Sequence, residues 1–168
     1  MKENRDGSNE GGKEGMKQSQ VYTYKNFLST SECADINRAI KRAERVTSGE
    51  IKPVVVQSSK EYESVEARAG MEFFVEGLSN LKGSTGFLIM ISLDEKRIVI
   101  RAGEEINKKI LQEKLEAIVE IIGRSITARQ PVRGICSAIN IAGDLLAEHF
   151  PVGKDDKNEV SDEIIFKP

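Results

Sequence analysis

The chain has no tryptophan, one histidine and two cysteines, and each shortage removes a class of function. Zinc sites need several nitrogen or sulfur ligands, which this sequence does not supply, and no H-E-x-x-H motif occurs. A Ser-His-Asp triad would have to use His149, but no G-x-S-x-G elbow exists to present a nucleophile to it. Cys33 and Cys136 form no C-x-x-C pair, so a dithiol redox motif and a secreted disulfide framework are both unsupported. Each is expected on a helix, packed as a small buried hydrophobe. Three tyrosines and six phenylalanines leave little material for stacking on bases. The 25 basic and 27 acidic residues are well mixed, net charge −2, so no basic face marks a nucleic-acid partner. The longest strongly apolar run, Phe87–Ile91, is far too short to cross a bilayer. Met1–Gln20 is rich in Gly, Glu, Lys and Asn, without the apolar stretch of a signal peptide or anchor. A cytoplasmic location, no direct membrane insertion and a monomer are the expectations.

What is present is enough for one folded domain. At 168 residues, 39% of them hydrophobic, the chain can bury a core without staples. We expect a disordered, hydrophilic lead over residues 1–20 and a single domain over 21–168 that includes the acidic C-terminal segment. Ser29-Thr30-Ser31-Glu32 reads as a capping box, followed by a helix with Cys33, Ile36, Ala39, Ile40 and Ala43 on one stripe. Gly49 suits a left-handed cap for that helix. Ile51–Gln57 is β-branched at its centre, and Pro53 places that end at a sheet edge or at the strand's start. Ser64 can cap a second helix whose apolar face runs Gly70, Phe73, Phe74, Gly77, Leu78 and Leu81, the glycines suggesting close approach to the sheet. After the turn Gly83–Gly86, Phe87–Leu93 reads as a central strand and Arg97–Arg101 as its hairpin partner. Leu111, Leu115, Ile118, Ile122 and Ile126 form one helical stripe, and Pro131 opens a last helix reaching Phe150. Helices on both sides of the strands in this order give an α/β fold, a three-layer α/β/α sandwich.

Few groups invite chemistry. His149 falls in the last turn of the final helix, where the dipole favours an imidazolium. Gly83-Ser84-Thr85-Gly86 is followed by a strand, so it lacks the helix amides that cradle a phosphate. Asp94-Glu95 and Glu104-Glu105 read as solvated turn acids. The tail differs: Asp155, Asp156, Asn158, Glu159, Asp162 and Glu163 place six oxygen donors within nine residues, ahead of apolar Ile164-Ile165-Phe166. Ca²⁺ and Mg²⁺ take hard oxygen ligands of this kind, although the spacing is not that of an EF-hand. A solvated acidic loop is the plain alternative.

Several strings together resemble one family. Thr47-Ser48-Gly49-Glu50-Ile51 follows an amphipathic helix ending Ala43-Glu44, and Gly77-Leu78 precedes Gly86 and the apolar strand. Ile106-Asn107 follows the hairpin, and Glu148-His149-Phe150-Pro151 leads into Asp155-Asp156, Asn158-Glu159, Asp162-Glu163-Ile164 and Phe166. Over about residues 26–166 this resembles the short, anchorless members of the TPM-domain family. The resemblance implies a three-layer sandwich around a small mixed sheet of about four strands. It also implies divalent-metal binding, usually calcium, in some members weak acid phosphatase activity, and in others accessory roles in maintaining membrane complexes. Two departures stand out: Ser84-Thr85-Gly86 where relatives carry Arg-Asn-Gly, and Gly103 where an Asp is common, so that Glu104 would have to substitute.

The expected function is therefore a module that binds Ca²⁺ or Mg²⁺, a protein partner, or both, through an acidic face. Asp155, Asp156, Asn158, Glu159, Asp162 and Glu163 are the expected ligands, with Glu50 added if the tail folds across the start of the first strand. A weak metal-dependent phosphatase, in which the ion polarises a phosphoryl oxygen and activates water, is the rival. A scaffold with neither ion nor chemistry is the third reading.

Overall fold

A computed structural model describes residues 21–168; the lead expected at 1–20 lies outside them. Helix α1 (Thr30–Glu44) begins where the capping box was read. Ser29 Oγ accepts the Glu32 amide at 3.2 Å, and Glu32 Oε1 accepts the Ser29 amide at 2.9 Å. Then come β1 (Glu50–Val56), α2 (Val65–Val75), one 3₁₀ turn (Leu78–Asn80), β2 (Gly86–Ser92) and β3 (Arg97–Ala102). The chain continues through α3 (Glu104–Lys109), α4 (Gln112–Thr127), α5 (Pro131–His149) and β4 (Ile165–Lys167).

The sheet is mixed, in the order β3-β2-β1-β4, with β1 parallel to β2 and β4, and β2 antiparallel to β3. Side chains alternate along β1 and β2 and feed two cores. Ile51, Val55, Phe87, Ile89 and Ile91 pack with Ile36 and Ile40 of α1, Ile118 and Ile122 of α4, and Ile135 and Ile139 of α5. Val54, Val56, Leu88 and Met90 pack on the other side with Ala69 and Phe73 of α2 and with Leu78. The result is an α/β sandwich with one crowded helical layer and one layer built mainly from α2. No helix of the described residues is long and apolar enough to cross a membrane.

Several local expectations need correction. Helix α1 ends at Glu44 with Arg45 in right-handed geometry, so Gly49 is not its cap. Gly49 is small because an added Cβ would sit 2.9 Å from Leu146 Cδ1. Helix α2 stops at Val75, and Gly77 (φ +81) is the left-handed residue that leads into the 3₁₀ turn. Neither Gly70 nor Gly77 approaches the sheet closely: a Cβ at Gly70 meets only the end of Arg101, and one at Gly77 meets nothing. Phe74 points outward, 63% exposed. The stripe Leu115, Ile118, Ile122 and Ile126 lies on one helix, α4, but Leu111 is the exposed residue before it, and the short helix α3 ahead of it was not expected. Cys33 and Cys136 are free and only half-buried, and burial raises both thiols above the usual range. Glu95 is no solvated turn acid, since Ser92 Oγ, Ser58 Oγ and the Ser59 amide all donate to it.

Candidate metal centre

The first half of β1 is where the fold gathers acid. Strand β4 covers only Val54–Val56 on that side, so Glu50–Pro53 has no strand neighbour there and Pro53 costs no ladder bond. The segment after α5 fills this position. It starts from a fixed point: Thr47 bridges Pro151, and the Ser48 amide and Thr47 Oγ1 both donate to Phe150 O, at 2.9 and 2.6 Å. It ends at β4, where Lys167 pairs with Glu72 and Glu76 of the α2 end at 2.5 and 2.9 Å. Between these anchors the strap crosses Lys52. That lysine is 1% exposed, and its ammonium donates to Ser161 O, Ser161 Oγ and Glu163 O at 3.2, 2.8 and 2.7 Å. Asn37 of α1 adds a bond from the Ile164 amide at 3.0 Å.

Under this strap three carboxylates converge. Glu44 ends α1, Glu50 begins β1, and Asp162 comes from the strap; one oxygen from each lies within 4.8 Å of the others. Backbone donors aim two of them. Glu44 Oε1 accepts the Ile51 amide and Glu50 Oε1 accepts the Glu159 amide, both at 2.9 Å. Glu50 is 4% exposed. Its Oε2, like Asp162 Oδ1, is buried without a hydrogen-bond partner.

That arrangement is unfavourable for three anions. Like charges this close repel by roughly 3–4 kcal/mol per pair in a protein-like dielectric. Burial, reinforced by a hydrogen bond to Asp162, pushes Glu44 up to about 10. Burial also raises Glu50, to about 7, against the opposing bond from the Glu159 amide. Burial lowers Lys52 despite the surrounding carboxylates, since its bonds go to the strap's carbonyls and a hydroxyl. Two unpartnered buried oxygens beside a third carboxylate are a donor set that a hard divalent cation would satisfy.

Of the residues expected as ligands, Glu50 and Asp162 meet here. Asp155, Asp156, Asn158, Glu159 and Glu163 are exposed; Glu159 contributes its amide and Glu163 its carbonyl. Glu44, the third carboxylate of the cluster, was not among the expected residues, although a signal existed. It sits in the last turn of α1, where the helix dipole disfavours an anion and neighbouring positions are basic. Lys52 was also missed. It shares the β1 face of apolar Val54 and Val56, a poor place for an ammonium that has no task.

Gly103 and Glu104 lie apart from this cluster, at the start of α3. A Cβ at Gly103 would fall 2.0 Å from Ser84 O, so the turn Gly83–Gly86 leaves no room there for an aspartate. Glu104 instead pairs with Lys108 at 3.4 Å.

Residues 21–145 match the TPM domain. No curated protein matches the chain significantly. Among solved structures, the chain is similar to BA42 protein from the psychrophilic bacterium Bizionia argentinensis. That match has a TM-score of 0.77 and 29% identity, over 89% of this chain and 99% of that one. The N-terminal domain of a protein from P. gingivalis shares the fold at TM-score 0.59 and 16% identity, over 78% and 95% of the two chains. So does the N-terminal domain of the cg2496 protein from Corynebacterium glutamicum, at 0.57 and 15%, over 81% and 84%. The match over most of the chain, with the shared sandwich, makes this protein a member of the TPM domain family.

Proposed function

We propose that the chain is a divalent-cation-binding module whose ion sits among Glu44, Glu50 and Asp162 and fastens the strap of residues 153–163 to the start of β1. The observation that carries this reading is the pair of buried, unpartnered oxygens, Glu50 Oε2 and Asp162 Oδ1, facing a third carboxylate. The donors are all oxygen, which suits Ca²⁺ or Mg²⁺ and disfavours softer metals. Ca²⁺ is the better fit: it accepts irregular coordination, whereas Mg²⁺ demands near-octahedral geometry and gives up water reluctantly. Asp155, Asp156, Asn158, Glu159 and Glu163 then act as an acidic surround that attracts the cation, and as the face offered to a protein partner once the strap is fastened. The phosphatase reading needs in addition a place for a phosphoryl group. Neither the α4–α5 cavity nor the β3–α3 cavity is lined by any of the three carboxylates.

Calorimetric titration of chelator-stripped protein with Ca²⁺ and with Mg²⁺ tests this. The expected result is one saturable site that prefers Ca²⁺ and is lost in Asp162→Asn. Unchanged affinity in Asp162→Asn, or no heat with either ion at millimolar concentration, removes the reading.

A further inference from the structure

Lys52 stands two residues after Glu50 on β1, so the two side chains leave the same face of the strand. An ammonium has three protons to donate and cannot accept. Here each has an acceptor, and all the acceptors belong to the strap: Ser161 O at 3.2 Å, Ser161 Oγ at 2.8 Å and Glu163 O at 2.7 Å. Residues 161 and 163 flank Asp162. One buried side chain therefore grips the backbone on both sides of the aspartate whose Oδ1 lacks a partner. The ammonium gives no hydrogen bond to the three carboxylates themselves.

Neighbouring groups complete the hold. Glu50 Oε1 accepts the Glu159 amide at 2.9 Å, and Asn37 Oδ1 accepts the Ile164 amide at 3.0 Å. Ile164 is buried in the larger core, and Val160 packs against the smaller one. Residues 159–164 are thus fixed from α1 and β1 by contacts that involve no ion. The hold matters most for one donor. Glu44 and Glu50 come from a helix and a strand, whereas Asp162 lies in irregular chain. Ligands have to be kept within about 0.5 Å of their working positions, which irregular chain does not do unaided.

Lys52 acts on a nearby cation in two opposed ways. As a charge it repels the ion. As a clamp it orders in advance a stretch of backbone whose ordering would otherwise oppose binding. The geometry favours the clamp, because three carboxylates outnumber one ammonium and its protons are directed at the strap. We propose that Lys52 is the positioning residue of the cation site, a role that rests on the cation reading above. By gripping the backbone either side of Asp162 it sets that carboxylate against Glu44 and Glu50, and so raises affinity for the ion despite its own positive charge. Ion and ammonium hold the same segment, so the coupling is reciprocal: an occupied site tightens the grip of Lys52 by the factor by which Lys52 tightens binding.

The test is calorimetric titration of chelator-stripped wild type, Lys52→Met and Ser161→Ala with Ca²⁺, with amide NMR spectra recorded in parallel. Lys52→Met fills the same space without charge or donors. Ser161→Ala removes one acceptor and leaves the charge in place, so any loss of affinity there comes from the grip alone. Binding should weaken about tenfold in Lys52→Met and about twofold to threefold in Ser161→Ala. In wild type Ca²⁺ should move few amides of residues 159–164; in Lys52→Met it should move them as a block, because ordering then accompanies uptake. Tighter binding in Lys52→Met would leave the ammonium as a repelling charge only, and unchanged affinity would leave it a structural role only; either overturns the proposal. Should Lys52→Met fail to fold, unchanged affinity in Ser161→Ala overturns it by itself. Wild-type protein that takes up no Ca²⁺ overturns the cation reading and this role with it, whereas uptake by wild type with equal affinity in both variants overturns this role alone.

Discussion

Replacing Glu44 by glutamine should stabilise the cation-free protein while abolishing its response to Ca²⁺. Glutamine keeps an oxygen to accept the Ile51 amide, and its amide nitrogen can donate to the partnerless oxygens of Glu50 and Asp162. The relief has two independent estimates. One lost like-charge pair at this spacing is worth roughly 3–4 kcal/mol. Holding a proton at pH 8 on a carboxyl that in the unfolded chain titrates near 4.5 costs about 5 kcal/mol, at about 1.4 kcal/mol per pH unit. Allowing for local relaxation, the gain in Glu44→Gln should be about 2–4 kcal/mol at pH 8 without Ca²⁺, a rise in Tm of about 5–15 °C for a chain of this size. Thermal unfolding followed by circular dichroism, with chelator and with Ca²⁺, reads both effects. Wild-type protein should gain stability with Ca²⁺ and Glu44→Gln should not. A cation-free Glu44→Gln that melts below wild type, or a Ca²⁺ shift equal in the two proteins, would refute the reasoning.

Three further outcomes follow from the same geometry. Because Glu44 and Glu50 bind protons more tightly folded than unfolded, their contribution to stability without cation should be full at and below about pH 4.5. It should fall as pH rises, through about 7 for Glu50 and on towards about 10 for Glu44; chemical denaturation between pH 5 and 8 should show this slope, and saturating Ca²⁺ should flatten it. Lys52→Met keeps the apolar stem but strands the carbonyls of Ser161 and Glu163, so it should cost about 1–3 kcal/mol and speed amide exchange in residues 159–164 while β2 stays protected. Gly103→Asp should destabilise by at least about 1–3 kcal/mol in denaturant unfolding, since its Cβ would displace Ser84 O; wild-type stability in that variant would contradict the close packing of that turn.

Elements specified by local chemistry were legible in the sequence. The capping box at Ser29, the cap at Ser64, Pro131 at the first turn of α5, and the uninterrupted apolar run of β2 each announce themselves within a few residues. What failed was of two kinds. The short α3 buries only Ile106, too little spacing to announce a helix, and Leu111 continues the period of α4 although it stands exposed just before it. Likewise Phe74 continues the apolar spacing of α2, yet among the described residues nothing covers it and it stays exposed. The site was only partly readable because it joins the end of α1, the start of β1 and a strap more than a hundred residues later. The tail's spacing put Asp162 among six equivalent donors and left Glu44 out; that Asp162 and Glu50 lie beside Glu44, away from the exposed Asp155 and Asp156, depends on long-range packing.

The most direct test of the cation site is a Ca²⁺ titration of chelator-stripped, ¹³C,¹⁵N-labelled protein that follows side-chain carboxyl carbons and backbone amides together. The account predicts saturable shifts of the Glu44, Glu50 and Asp162 carboxyls, with the Ile51 and Glu159 amides moving in step. Carboxyls of these three that stay fixed at millimolar Ca²⁺, or shifts confined to Asp155, Asp156 and the other exposed acids of the strap, would contradict it.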